Sequence, residues 1–99
     1  MLHTLNKPLS QPVALQACLR TINAGDALLL IEDGVYCARK AEAQHSGLEQ
    51  LSYDILLYAL KTDVQARGIE SHLYERVQLI DYHGFVELSE THAGCQSWY

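Results

Sequence analysis

The run ALLLI, residues 27–31, is apolar at every position. A strand without polar alternation belongs where both sheet faces are covered, the setting of a parallel sheet flanked by helices. It is read as the central strand. Around it, other short apolar runs alternate with segments of helical period, the pattern of successive βαβ units. Residues 1–6 (MLHTLN) alternate apolar and polar as a first strand, closed by Pro8 and Ser10. Leu15, Cys18, Leu19 and Ile22 then recur at i, i+3, i+4 and i+7, one apolar stripe of a helix starting near Pro12. DILLYAL (54–60) and VQLI (77–80) supply a third and a fourth strand.

The connecting segments carry signals of their own. Asp33 is placed to cap a short helix through Val35, Tyr36 and Ala38, because its carboxylate can accept from the unpaired N–H groups of a first turn. Thr62 and Gln65 stand at capping-box spacing, and Gly68 falls where a helix ends in left-handed backbone. Asp81 is the expected cap of a helix through Phe85, Val86 and Leu88. Residues 39–52 read as a surface loop or a loose helix, and AGCQSWY (93–99) as a tail holding the single tryptophan. The expected fold is α/β: a single small domain over residues 1–99, with a mostly parallel sheet of about four strands flanked by helices.

Composition narrows the function. Ninety-nine residues, 48% of them hydrophobic, suit one core. The formal charge of −5 repels phosphate, so direct nucleic-acid binding is not expected. No window approaches the roughly 18 consecutive apolar residues of a membrane span, and no basic n-region with an apolar h-region opens the chain, so a cytoplasmic protein is expected. Neither GxGxxG nor GxxxxGK[ST] occurs, which argues against a nucleotide cofactor. The five histidines have no HxxxH or HExxH spacing; they read as solvated surface, and no metal is expected. Glu32 and Asp33 close the central strand at its carboxyl end, where open α/β sheets bind ligands, although capping by Asp33 accounts for the same residues.

Cys18, Cys37 and Cys95 are widely spaced, without a CxxC pair, and are expected to be free thiols. Cys18 lies on the apolar stripe, about two turns from a helix N-terminus that could stabilise a thiolate, so the pattern favours a packed and inert sulfur. Cys37 follows the strand end near the start of a short helix and is better placed for reactivity, with Glu32 and Asp33 opposing. Cys95, in the tail, is accessible but has no evident base.

Five segments in order, MLHTLNK, LLLIEDGVYCA, YALKTDVQARG, IDYHGFVEL and the terminal SWY, together resemble the TusB/DsrH family of sulfur-relay proteins. The resemblance runs along nearly the whole chain; Arg39 to Tyr53 match loosely. It implies a fold of the DsrE type and a heterohexamer with TusC-like and TusD-like subunits. It further implies that this complex passes persulfide sulfur toward a TusE-like carrier and finally to 2-thiouridine at the tRNA wobble position. In such complexes the principal sulfur-accepting cysteine belongs to the TusD-like subunit. DsrH members resemble this chain in having a cysteine in the first helix, whereas some TusB members lack it, so Cys18 is expected to be an auxiliary thiol. The expected role is structural and interactive. The alternatives are a DsrH-like part in dissimilatory sulfur oxidation, and direct persulfide carriage by Cys18. Trp98 and Tyr99 are interface candidates, since aromatics are favoured in buried contacts and a free tail would fray.

Overall fold

A computed structural model describes residues 1–99. Its strands are β1 (Leu2–Leu5), β2 (Ala27–Leu30), β3 (Leu56–Leu60), β4 (Gln78–Ile80) and β5 (Cys95–Trp98). They pair in the order β4-β3-β2-β1-β5, parallel throughout. The strand read as central is central: β2 lies third of five, and all four of its residues are buried. The tail is the fifth strand, beyond the four expected. Its register sets Leu2 opposite Cys95 and Leu5 opposite Trp98. CQSW has little strand character of its own, and it is the neighbouring β1 that holds it extended.

The helices are α1 (Val13–Thr21), α2 (Lys40–Ser46), α3 (Lys61–Ala66) and α4 (Tyr82–Thr91), with a 3-10 helix over Glu32–Ala38. Of residues 39–52, read as a surface loop or a loose helix, 40–46 and 48–50 are helical, and Ala43 and Leu48 are drawn into the core. Alternate strand residues separate to the two faces. On one face Leu5, Leu28, Leu30 and Leu57 pack with Leu15, Cys18, Val35, Ala43 and Val64. On the other, Leu2, Ala27, Leu29, Ile31 and Leu60 meet Phe85 and Leu88 of α4. After β4, then, the chain returns across the second face through α4 to lay β5 beside β1.

Two of the expected caps do not form. Asp33 makes no cap bond and pairs with Arg67 instead. The Thr62–Gln65 box is absent: α3 begins at Lys61, and Gln65 donates to Glu70 Oε1 at 3.1 Å. Asp81 does cap α4, its Oδ1 accepting from the Gly84 N–H at 2.8 Å. Gly68 follows the C-cap of α3 at φ +65°, as its position predicts. Gly34 is required for another reason. A Cβ there would collide with the Leu5 carbonyl, so only glycine lets the 3-10 helix cross the end of β1.

Candidate functional site

Cys18 sits on the buried stripe of α1 with no exposed surface. Burial, with the Asp26 carboxylate as a second cause, pushes its thiol up to about 12. Cys37, favoured by its position along the sequence, is equally buried. Its sulfur donates to the Lys7 carbonyl at 3.6 Å, and burial followed by the charge of Glu42 pushes it up to about 11. The opposing carboxylate is thus Glu42, not Glu32 or Asp33. Both sulfurs belong to the same core cluster. Cys95 is exposed, on the edge strand β5.

The carboxyl ends of β2 and β3 hold a closed charge network. Glu32, at φ +50°, is the non-glycine residue held in left-handed backbone. Its N–H donates to Asp63 Oδ2 at 2.7 Å, and its Oε2 accepts from Asn6 Nδ2 at 3.3 Å. Asp33 Oδ1 accepts from Arg67 Nε and Nη2 at 3.1 and 3.0 Å. Arg67 and Arg39 both lie over the Tyr36 ring, 5.9 and 5.1 Å from its centroid, and Arg39 is bound to Glu42. Each cation here already has a carboxylate and an aromatic face, so the arrangement stiffens this end of the sheet. Glu32 and Asp33 do end the central strand as expected, but they serve this network rather than a helix cap.

One histidine lies in the core. His3 has no exposed surface, against the solvated reading of all five histidines. Its Nδ1 accepts from Trp98 Nε1 at 3.0 Å, and its Nε2 lies 2.9 Å from Asp26 Oδ2. An indole N–H can only donate, so Nδ1 must be unprotonated and the ring proton sits on Nε2, directed at Asp26. Asp26 also accepts from the Asn23 N–H at 3.0 Å and the Met1 ammonium at 2.9 Å. Burial opposes its charge, but these bonds outweigh it and hold the carboxyl well below the usual aspartate range. The His3 ring also stacks with Trp98 at 6.2 Å, fixing the last strand to the first. The warning available in the sequence was a histidine within an otherwise apolar first strand together with an aspartate just before ALLLI. Only the parallel register brings the two together.

Trp98 therefore folds back on its own sheet, half-buried, while Tyr99 beside it is 66% exposed. The two border an open groove of about 560 Å³ along Val13, Ala14 and Ala17 of α1 and its approach, with Lys7 at its end.

These features define a small α/β protein with an all-parallel five-stranded sheet and two thiols sealed in its core. Residues 9–94 match the model of the family described as DsrH like protein. The chain belongs to this DsrH/TusB family. Protein TusB of Serratia proteamaculans (strain 568) is 42% identical over 98 residues, covering 99% of this chain and 100% of that protein. Protein TusB of Pectobacterium parmentieri is 38% identical over 100 residues, with the same coverage. Among solved structures, the YchN protein from E. coli superposes with a TM-score of 0.73 over 97% of this chain and 96% of its own. At 17% identity that likeness is one of fold. Protein Tm0979 from Thermotoga maritima, 31% identical, gives 0.64 over 95% of this chain and 100% of its own.

Proposed function

We propose that this protein is the TusB-like subunit of a cytoplasmic sulfur-relay complex, in which it assembles and shapes the complex without itself carrying sulfur. The pathway is 2-thiolation of the tRNA wobble uridine. Its partners are TusC-like and TusD-like subunits, two copies of each with two of this chain, and a TusE-like carrier downstream. The observation that carries the reading is the state of Cys18. A persulfide relay needs a thiolate that a partner's sulfur can reach, and this sulfur is fully buried and held protonated at neutral pH. The same holds for Cys37. Tyr99, with Trp98 behind it, supplies an aromatic contact for a neighbouring subunit.

The test is persulfide labelling of the assembled complex after loading from a cysteine desulfurase, for the native chain and for Cys18→Ser. The expected result is sulfur on a partner subunit only, with tRNA thiolation unaffected by the substitution. An added sulfur of about 32 Da on Cys18, with transfer halted in the variant, would overturn it. The family description favours one second reading, a DsrH-like part in sulfur oxidation. It predicts that deleting the gene leaves wobble thiolation intact.

A further inference from the structure

The two faces of the sheet are covered unequally. Helices α1, α2 and α3 and the 3-10 helix shield one; α4 alone crosses the other, and none of its residues is fully buried. Leu56, Tyr58 and Leu60 share this second face by alternation along β3. Leu60 is buried and Tyr58 half-buried, but Leu56 is 45% exposed. Beside them, α4 leaves a crevice of about 220 Å³ walled by Tyr58, Ile80 and Leu88, with Glu87 at its rim. On the helix's other flank Tyr82 and Val86 stand exposed. Parallel strands are found with both faces covered, so this half-open apolar face lacks part of its cover.

Charge indicates what the cover is. Arg76 is the last arginine or lysine of the sequence; residues 77–99 hold Asp81, Glu87 and Glu90 and no fixed cation. Asp81 is engaged as the helix cap, whereas Glu87 and Glu90 are exposed on α4. The nearest counter-group is His83, whose Nε2 lies 2.9 Å from Glu87 Oε1. A second copy would set these carboxylates against their equivalents, and a nucleic acid would set phosphates against them.

We propose that the α4 face, from Leu56 and Tyr58 across the crevice to Glu87, docks a different protein subunit whose contact surface is an apolar ridge bordered by lysines or arginines. This rests on the reading of the chain as part of a hetero-oligomer, and it names the face that reading requires. An apolar side chain of the partner fills the crevice between Tyr58, Ile80 and Leu88. Its cations meet Glu87 and Glu90, and the contact completes the cover that α4 leaves unfinished.

The experiment co-expresses the full chain with the TusC-like and TusD-like subunits of the same genome and measures assembly by sedimentation, at low and high salt. Three variants accompany the native chain: Glu87→Lys with Glu90→Lys, Leu56→Glu, and Glu49→Lys as a control on a segment packed against the first face. The first two should weaken assembly about tenfold or more, the charge reversal less so at high salt, with Glu49→Lys unchanged and all thermal midpoints native-like. Native-strength assembly by both α4 variants overturns the docking face and leaves the functional reading standing. A native homodimer that these variants abolish also overturns it, in favour of self-association. If the native chain takes up neither subunit, the functional reading fails and the docking face falls with it.

Discussion

Replacing Asp26 by alanine should unfold the tie between the first strand and the last. The variant leaves the His3 Nε2–H, on a side chain 1% exposed, without an acceptor. A buried donor stranded in this way costs about 1–3 kcal/mol. Losing the bond from the Asn23 N–H adds about 1 kcal/mol, and the half-exposed Met1 ammonium pair no more than about 0.5 kcal/mol. The expected loss is about 2–4 kcal/mol, a fall in Tm of roughly 10–25 °C for a chain of this size. The pH dependence has a definite sign. The folded state depresses the Asp26 pKa below its ordinary 3.8, so the carboxylate's contribution is fully present above that value and is lost as pH falls through the folded one. Urea unfolding followed by far-UV circular dichroism, at neutral pH and stepwise below pH 4, measures both effects. The native protein should lose stability steadily through the acid range, and Asp26→Ala should lose less there. A neutral-pH loss under about 0.5 kcal/mol, or an unchanged acid slope, would refute the assignment of this carboxylate as the buried acceptor.

In the native protein, iodoacetamide should label Cys95 rapidly and leave Cys18 and Cys37 unmodified until denaturant is added; mass analysis of fast labelling at Cys18 would contradict its burial. Trp98→Phe removes the indole donor and should cost about 1 kcal/mol. In a double-mutant cycle with Asp26→Ala its effect should be non-additive, because both act on one imidazole. Gly34→Ala should destabilise by several kcal/mol, since its Cβ would overlap the Leu5 carbonyl, and thermal melts should place it below Gly25→Ala, where the added methyl meets no atom and the cost is only the left-handed φ of +89°, about 1–2 kcal/mol. Arg76→Lys should loosen the loop before β3 by about 2 kcal/mol, because the guanidinium donates from two separate nitrogens to the carbonyls of Leu51, Ser52 and Ile55, a fork that the single nitrogen of lysine does not reproduce; hydrogen exchange at residues 51–55 would rise.

Much of the fold is legible because each element advertises itself locally. The unbroken ALLLI announces a strand covered on both sides, the i, i+3, i+4, i+7 stripe announces α1, and Asp81 announces α4. Features that depend on partners far along the chain are not legible in this way. The alternation of MLHTLN predicts a strand but not its burial, which follows from β1 lying between β2 and β5. Asp33 and the Thr62–Gln65 pair have the spacing of caps, but Arg67 and Glu70 offer charged or longer-range partners that compete successfully. The candidate site divides in the same way. The packed character of Cys18 follows from periodicity, whereas the burial of Cys37 depends on the Lys7 and Glu42 segments folding over it.

The sequence by itself determined the class: apolar runs too uniform for a one-sided sheet, helical stripes between them, and free thiols without a motif. Ordered segments placed the chain in its family. Only the tertiary structure decided that CQSW is a strand, that His3 is buried, and which sheet face is left half open. The physical reason is range. Propensity and periodicity are carried by residues within a turn or two of one another, whereas strand register, the pairing of His3 with Asp26 and Trp98, and the unequal cover of the two faces exist only once distant segments have met.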